Sequence, residues 1–235
     1  MGGGLLQIVA YGNQDDYLTN NPDITYFKNN YKKHTNFSVE SIECTIDGTK
    51  NFGNTITCII PRNGDLLSKI YIKLKLPAAT SVITATNSSY RNWINNIGHA
   101  IIKKIEVSIG GTLIDTINSE WFDIWNEYTD PLHQEWNLIG KKVDARELEE
   151  DQENTTLYYI PLKFWFNKNI GDALPLIALQ NHEIKLRLEI RKLSELIVTD
   201  GTSVSLSGDI TDIQIFGDFI YLEEQERRMF ADQQH

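Results

Sequence analysis

The pair with the most chemical promise is His182-Glu183, in the stretch NHEIKL. His-Glu opens the HExxH zinc motif, in which two imidazoles on one helix face hold the metal and the glutamate acts as base. The second imidazole would fall at position 186, and that residue is Leu186. The segment also alternates apolar and polar residues as a strand does, so the helix that the motif needs is missing. His34, His99, His133 and His235 are scattered singly, and a structural or surface role is expected of each. There is no GxxxxGK phosphate loop, no GxSxG nucleophile elbow and no CxxC pair. No catalytic, metal or cofactor site is expected, and the chain reads as a non-enzyme.

Cys44 and Cys58 lie in the alternating patterns Ile42-Cys44-Ile46 and Ile56-Cys58-Ile60. Each shares a face with isoleucines, so both read as buried free thiols behaving as small apolar residues rather than as a disulfide. A reducing compartment suits such a pair. Glycosylation sequons occur at Asn36, Asn87 and Asn154. In a chain rich in Asn, with no secretory signal at its start, they are weak signals for modification.

The chain has 235 residues, is 41% hydrophobic and carries a net charge of −10. That length supports one large β-domain or two small domains. An acidic balance disfavours direct nucleic-acid binding, which needs clustered Lys and Arg. No apolar run approaches the roughly 20 residues of a membrane-spanning helix. Gly2 follows Met1 as N-myristoylation requires, but Leu6 stands where that motif wants Ser or Thr.

The elements that hold these residues are mostly strands. SKIYIKLKLP puts Ile70, Ile72, Leu74 and Leu76 on one face and Tyr71, Lys73 and Lys75 on the other. KKIEVSIGG and HEIKLRLEIRK alternate in the same way. One dry and one wet face per strand is the pattern of antiparallel sheets packed as a sandwich. Gly110-Gly111 reads as a hairpin turn needing positive φ. About eight strands are expected, near 37–48, 54–60, 68–76, 101–109, 112–117, 157–166, 182–192 and 203–222, which fits an all-β, eight-stranded antiparallel jelly-roll sandwich. One helix interrupts them in SEWFDIWNEYTDP, with Ser119 as N-cap and Trp121, Ile124, Trp125 and Tyr128 as its apolar face. Residues 130–156, with the charge run DARELEEDQEN, read as a solvated loop. In FWFNKNIGDALPLIALQNHE, Phe164, Phe166, Leu174, Leu176, Ile177 and Leu179 are expected to form an apolar cluster, with Gly171 and Pro175 setting a turn.

Four stretches go beyond a generic sandwich: LLQIVAYGNQDDYLTNNPDITYFKNNYKKHTNFSVESIE, IGHAIIKKIEVSIGGTLIDTINSEWFDIWNEYT, PLKFWFNKNIGDALPLIALQNHEIKLRLEIR and EEQERRMFADQQH. In order and spacing they resemble the first half of the major capsid proteins of the nucleocytoplasmic large DNA viruses, of the type found in giant viruses of algae and amoebae. The resemblance implies a structural subunit of an icosahedral capsid, built in the family from two consecutive jelly rolls. It implies copies of the chain as partners in a homotrimeric capsomer, together with minor capsid proteins and contact with an inner viral membrane surface. It also implies a virion location, assembly in the host cytoplasm and no cofactor. Residues 1–36 would then be an N-terminal extended interaction arm, with Leu5, Leu6, Tyr11, Tyr17, Tyr26, Phe27, Lys28, Lys32 and Lys33 as its contact residues. Residues 37–222 would be the jelly-roll domain, and 223–235 the start of a linker toward a second jelly roll. Two other readings are a carbohydrate-binding jelly roll, since five Trp and ten Tyr could stack on sugars, and a single-jelly-roll minor capsid or penton protein. The sugar reading is disfavoured by placing Trp121 and Trp125 on the packed face of the helix and Trp165 in a strand.

Overall fold

The computed structural model describes residues 10, 12–14, 35–130, 134–142 and 154–232. It divides into two units, 1–36 and 37–235. The contact residues expected in the arm, from Leu5 to Lys33, lie outside the described residues. The strands and helices of the sandwich all belong to the second unit.

Eight longer strands build it: β1 (Phe37–Cys44), β2 (Thr55–Ile59), β3 (Leu66–Leu76), β4 (Ile102–Ile109), β5 (Thr112–Asn118), β6 (Thr156–Pro161), β7 (Ile184–Ile190) and β8 (Asp212–Leu222). One sheet runs β1-β8-β3-β6, with Leu174–Pro175 also paired to β3. The other runs from the short strand Ile46–Asp47 through β2-β7-β4 to β5. The pairings are antiparallel throughout. The two sheets face each other across a core that includes Leu67, Ile70, Ile72, Leu74, Ile105, Val107, Leu186, Leu188, Ile213, Ile215 and Phe219. This is the eight-stranded jelly-roll sandwich expected. The alternation that wrote it survives in the burial: residues 70, 72, 74 and 76 point inward, and 69, 71, 73 and 75 outward.

Several boundaries shift. The expected strand 37–48 is two strands in different sheets: Cys44 pairs with Ile215 of β8, and Ile46 pairs with Cys58 of β2. The chain crosses from sheet to sheet at Thr45, and an unbroken period-2 pattern does not reveal a crossing. Residues 203–222 split into Thr202–Leu206, which pairs with Ile83–Thr86, and β8. Arg91–Trp93 and Ile197–Thr199 form another short pair that the sequence did not signal. Strand β6 stops at Pro161, and Trp165–Lys168 is a helical turn rather than strand. Gly171 lies in a 3-10 turn with no unusual φ, and Pro175 pairs with β3, so neither sets a hairpin turn. Phe164, Phe166, Leu174 and Leu176 are buried as expected. Gly110 and Gly111 both take positive φ, at 58° and 86°, in the β4–β5 hairpin.

The helices are α1 (Ala79–Val82), α2 (Ile97–Ala100), α3 (Ser119–Thr129), α4 (Trp136–Ile139), α5 (Trp165–Lys168) and α6 (Glu224–Asp232). The segment expected to be a solvated loop therefore begins with a helical turn whose Ile139 is fully buried. Among the described residues no helix is long and apolar enough to cross a membrane. Cys44 and Cys58 are buried free thiols, as expected. Cys44 Sγ lies 3.9 Å from Ile42 O and Cys58 Sγ 3.9 Å from Ile59 O. The neighbouring Cys58 thiol holds the Cys44 pKa down, and Cys44 together with burial pushes that of Cys58 up.

Candidate assembly surfaces

Among the described residues no group of His, Cys, Asp and Glu is arranged to hold a metal. His99 is fully buried, and its Nδ1 lies 2.8 Å from Asp123 Oδ1. The carboxylate can only accept, so Nδ1 carries the proton, and the buried Nε2 faces no partner. With Phe122 stacked on its ring at 5.4 Å, this imidazole positions a helix.

That helix, α3, packs the opposite way to the sequence expectation. Its buried residues are Ser119, Phe122 and Asn126. Trp121, Ile124 and Tyr128 point outward, at 41%, 60% and 85% exposure. Ser119 is not the N-cap: that position is Asn118, without a side-chain bond. The Ser119 hydroxyl instead accepts from Arg191 at 2.7 Å. Polar contacts decide the orientation. Asp123 holds His99, and Asn126 donates to Glu135 Oε2 at 3.0 Å. Glu135 in turn accepts from Lys163 at 2.7 and 2.8 Å. Trp125 is half-buried beneath Lys168 of α5, whose Nζ sits 4.1 Å from the ring centroid. Trp165 is on the surface of α5, edge-on to buried Phe166.

The two sheets present different outer faces. On β2-β7-β4-β5 the outer face is a charge lattice, with Lys103–Glu189 at 2.5 Å, Lys104–Glu106 at 2.6 Å and Arg187–Glu106 at 3.6 Å. The bond from Lys103 lowers the Glu189 pKa. On β1-β8-β3-β6 the outer face centres on aromatic rings. Tyr71 stacks on Phe216 at 5.4 Å and meets Tyr159 at 6.3 Å. Lys69 and Lys75 flank them, and Leu157 is exposed.

Asn36, Asn87 and Asn154 are all exposed. Asn87 sits in a turn at φ 51°, beside a loop tied to Asp200. The feature that sequence reasoning missed is the outward stripe of α3. The available signal was the pair Phe122 and Asn126, which share the other face at spacing 4.

The fold is a jelly-roll β-sandwich with aromatic rings on one outer face and on a helix turned to solvent. Residues 25–223 match the family model described as the major capsid protein N-terminus. The whole chain is 43% identical to the major capsid protein of Pyramimonas orientalis virus, covering 57% of that protein. It is 38% identical to capsid protein 1 of Acanthamoeba polyphaga mimivirus, covering 42% of it. The quasi-atomic model of the PBCV-1 virus capsid superposes with a TM-score of 0.71 at 30% identity, over 90% of this chain and 48% of that one. The Faustovirus major capsid protein shares the fold at a TM-score of 0.69 and 12% identity, over 94% of this chain and 60% of that one. The chain belongs to the major capsid protein family of the nucleocytoplasmic large DNA viruses. It spans about half the length of the relatives it matches.

Proposed function

We propose that this chain is a structural subunit of an icosahedral viral capsid, supplying the first jelly roll of a capsomer built from copies of itself. The observation that carries this reading is the family match across 25–223, which runs through every strand of both sheets. In this reading it is not an enzyme, and it needs no cofactor and no direct contact with nucleic acid. Its partners are other copies and minor capsid proteins, its place is the virion shell, and assembly takes place in the host cytoplasm. Residues 1–36 act as an arm toward neighbours, minor capsid proteins or the inner membrane surface, where Lys28, Lys32 and Lys33 suit anionic headgroups. Residues 223–235 lead toward a second jelly roll.

Mass spectrometry of purified virus particles tests the reading. Peptides of this chain should be among the most abundant in the particle, and their absence would refute it. Deleting residues 1–25 tests the arm: the β-domain should keep its cooperative thermal transition while assembly is impaired.

Two arguments against the sugar-binding alternative fall, because Trp121 is exposed rather than packed and Trp165 stands on the surface of a helical turn rather than in a strand. The family membership still favours the shell.

A further inference from the structure

We infer that the outward stripe of α3, formed by Trp121, Ile124 and Tyr128, is a contact surface between copies of this chain, and that its acidic rim meets the lysine-bearing face of β3 and β6 in the neighbouring copy. This rests on the capsid-subunit reading and names the part of the molecule that makes the contact.

The first observation is the inverted helix. A surface helix normally turns its larger apolar stripe to the core. Here the inward side carries Phe122 with Ser119 and Asn126, and the larger stripe faces out. The inversion is built in. The Asp123–His99 contact at 2.8 Å and the Asn126–Glu135 bond at 3.0 Å fix both ends of the inward side. A rotation that buried Trp121 would break both and leave the fully buried His99 with only the Asn96 amide, 3.2 Å from Nδ1, as a side-chain partner. Exposed, rigidly held Trp and Tyr are what interface centres are made of, and contiguous exposed apolar patches mark interaction sites.

The second observation is charge. Glu120, Asp123 and Glu127 are exposed and flank the stripe, with Glu127 paired to Lys141, Glu120 at 4.0 Å from Arg191 and Asp123 bonded to His99 within the same copy. A chain of net charge −10 repels a copy brought up at random. Repulsion is relieved where the acidic helix meets a basic surface. The face of β3 and β6 offers one: Lys69, Lys73 and Lys75 on β3 lie around Tyr71, Tyr159 and Leu157, while Lys168 beyond β6 is already engaged by the Trp125 ring of the same copy. Glu135 pairs with Lys163 there. Asp212 and Asp218 stand opposite Lys75 and Lys69, but on β8, so the positive excess lies on the side away from β8. The outer face of the other sheet lacks such an aromatic centre and carries carboxylates among its lysines. Both proposed halves thus carry aromatic rings, and their rims carry opposite charge.

The test uses the 235-residue chain with a photo-crosslinking benzoylphenylalanine at position 128, where high exposure spares the fold. Illumination across about 10 µM to 1 mM, the range of weak contacts, should give inter-copy crosslinks into peptides containing residues 69–75 or 157–168. By sedimentation, Ile124→Asp should weaken association at least about tenfold, a change of about 1.4 kcal/mol, with its melting temperature unchanged. Glu120→Lys should also weaken it, and Lys75→Glu added to Glu120→Lys should restore it in part. Crosslinks confined to other segments, association indifferent to Ile124→Asp, or no association at about 1 mM would each overturn the assignment. So would binding of an oligosaccharide that Ile124→Asp abolishes. None of these removes the chain from virus particles, so the capsid reading stands or falls separately on the particle composition.

Discussion

Arg227 in α6 lies 2.9 Å from Asp65, a carboxylate just ahead of β3 that is almost entirely buried. The other oxygen of Asp65 accepts the Leu222 N–H at 2.8 Å, and its backbone N–H donates to Ile220 O at 2.9 Å. Its carbonyl accepts the Ile177 N–H at 3.1 Å. One residue thus fastens the end of β8, the start of α6 and the segment after Pro175. These groups line an open cavity of about 410 Å³ with Arg62, Leu176 and Tyr221.

Asp65→Ala should therefore cost about 1.5–3 kcal/mol, the scale of hydrogen bonds to a charged group. In hydrogen exchange the amides of α6 should lose protection before those of β3. A change in denaturant midpoint worth less than about 0.5 kcal/mol, the scale of surface substitutions, would show that the carboxylate is not holding this corner.

Most of the sandwich was legible because a strand with one dry face writes its orientation into every second residue. Ile70, Ile72, Leu74 and Leu76 are buried as that pattern demands. Three things were not legible. The crossing at Thr45 leaves the alternation of Cys44 and Ile46 intact while their pairing partners change sheet. The short pair of Arg91–Trp93 with Ile197–Thr199 is held by contacts distant in sequence, where a three-residue run carries no period. The packed face of α3 is not legible because hydrophobicity does not decide which side packs. The buried His99 and the partly buried Glu135 decide it instead, and neither lies in the helix. The thiols Cys44 and Cys58 were legible from their faces alone, whereas the sequence of residues 1–36, proposed above as an arm, carries no period from which to argue.

Two apolar side chains make a matched test of the corrected packing. Leu176 is 2% exposed and Ile124 is 60% exposed. Leu176→Ala should cost about 2–5 kcal/mol through lost burial and a residual cavity. Ile124→Ala should cost less than about 0.5 kcal/mol in the dissociated chain. Equal costs in thermal or chemical unfolding would contradict the burial of one or the exposure of the other.

Glu135 joins Lys163 to Asn126, and Asn126 is nearly fully buried. Glu135→Ala would strand a mostly buried ammonium and an amide N–H₂ together. It should destabilise by about 1–3 kcal/mol, the penalty for orphaned buried polar groups. Glu135→Gln keeps an oxygen to accept from one of them and should cost less. If Gln proves as damaging as Ala, the charge of the carboxylate matters more than its hydrogen bonds.

Asp200 ties down the loop at residues 88–90. Its carboxylate accepts from the Ser89 hydroxyl and, at 2.9 Å, from the Tyr90 N–H, with Ser88 Oγ at 3.0 Å and the Ser89 N–H at 3.1 Å. These donors favour the ionised form, the Ser89 hydroxyl most of all, and hold the carboxyl well below the usual Asp range. A group whose folded pKa is depressed contributes stability that is present above its unfolded pKa. That stability is lost as pH falls through the folded value. The unfolded value is near 3.9, so the loop at residues 88–90 should keep its order at neutral pH and loosen only below about pH 4. The group is exposed, so the effect belongs to the local loop more than to global unfolding. Amide resonances of Ser89 and Tyr90 followed by NMR should shift through a transition below about pH 4 in the parent chain. In Asp200→Asn that transition should vanish while the neutral-pH positions change. A transition that persists in Asp200→Asn would assign the acid sensitivity of this loop to another group.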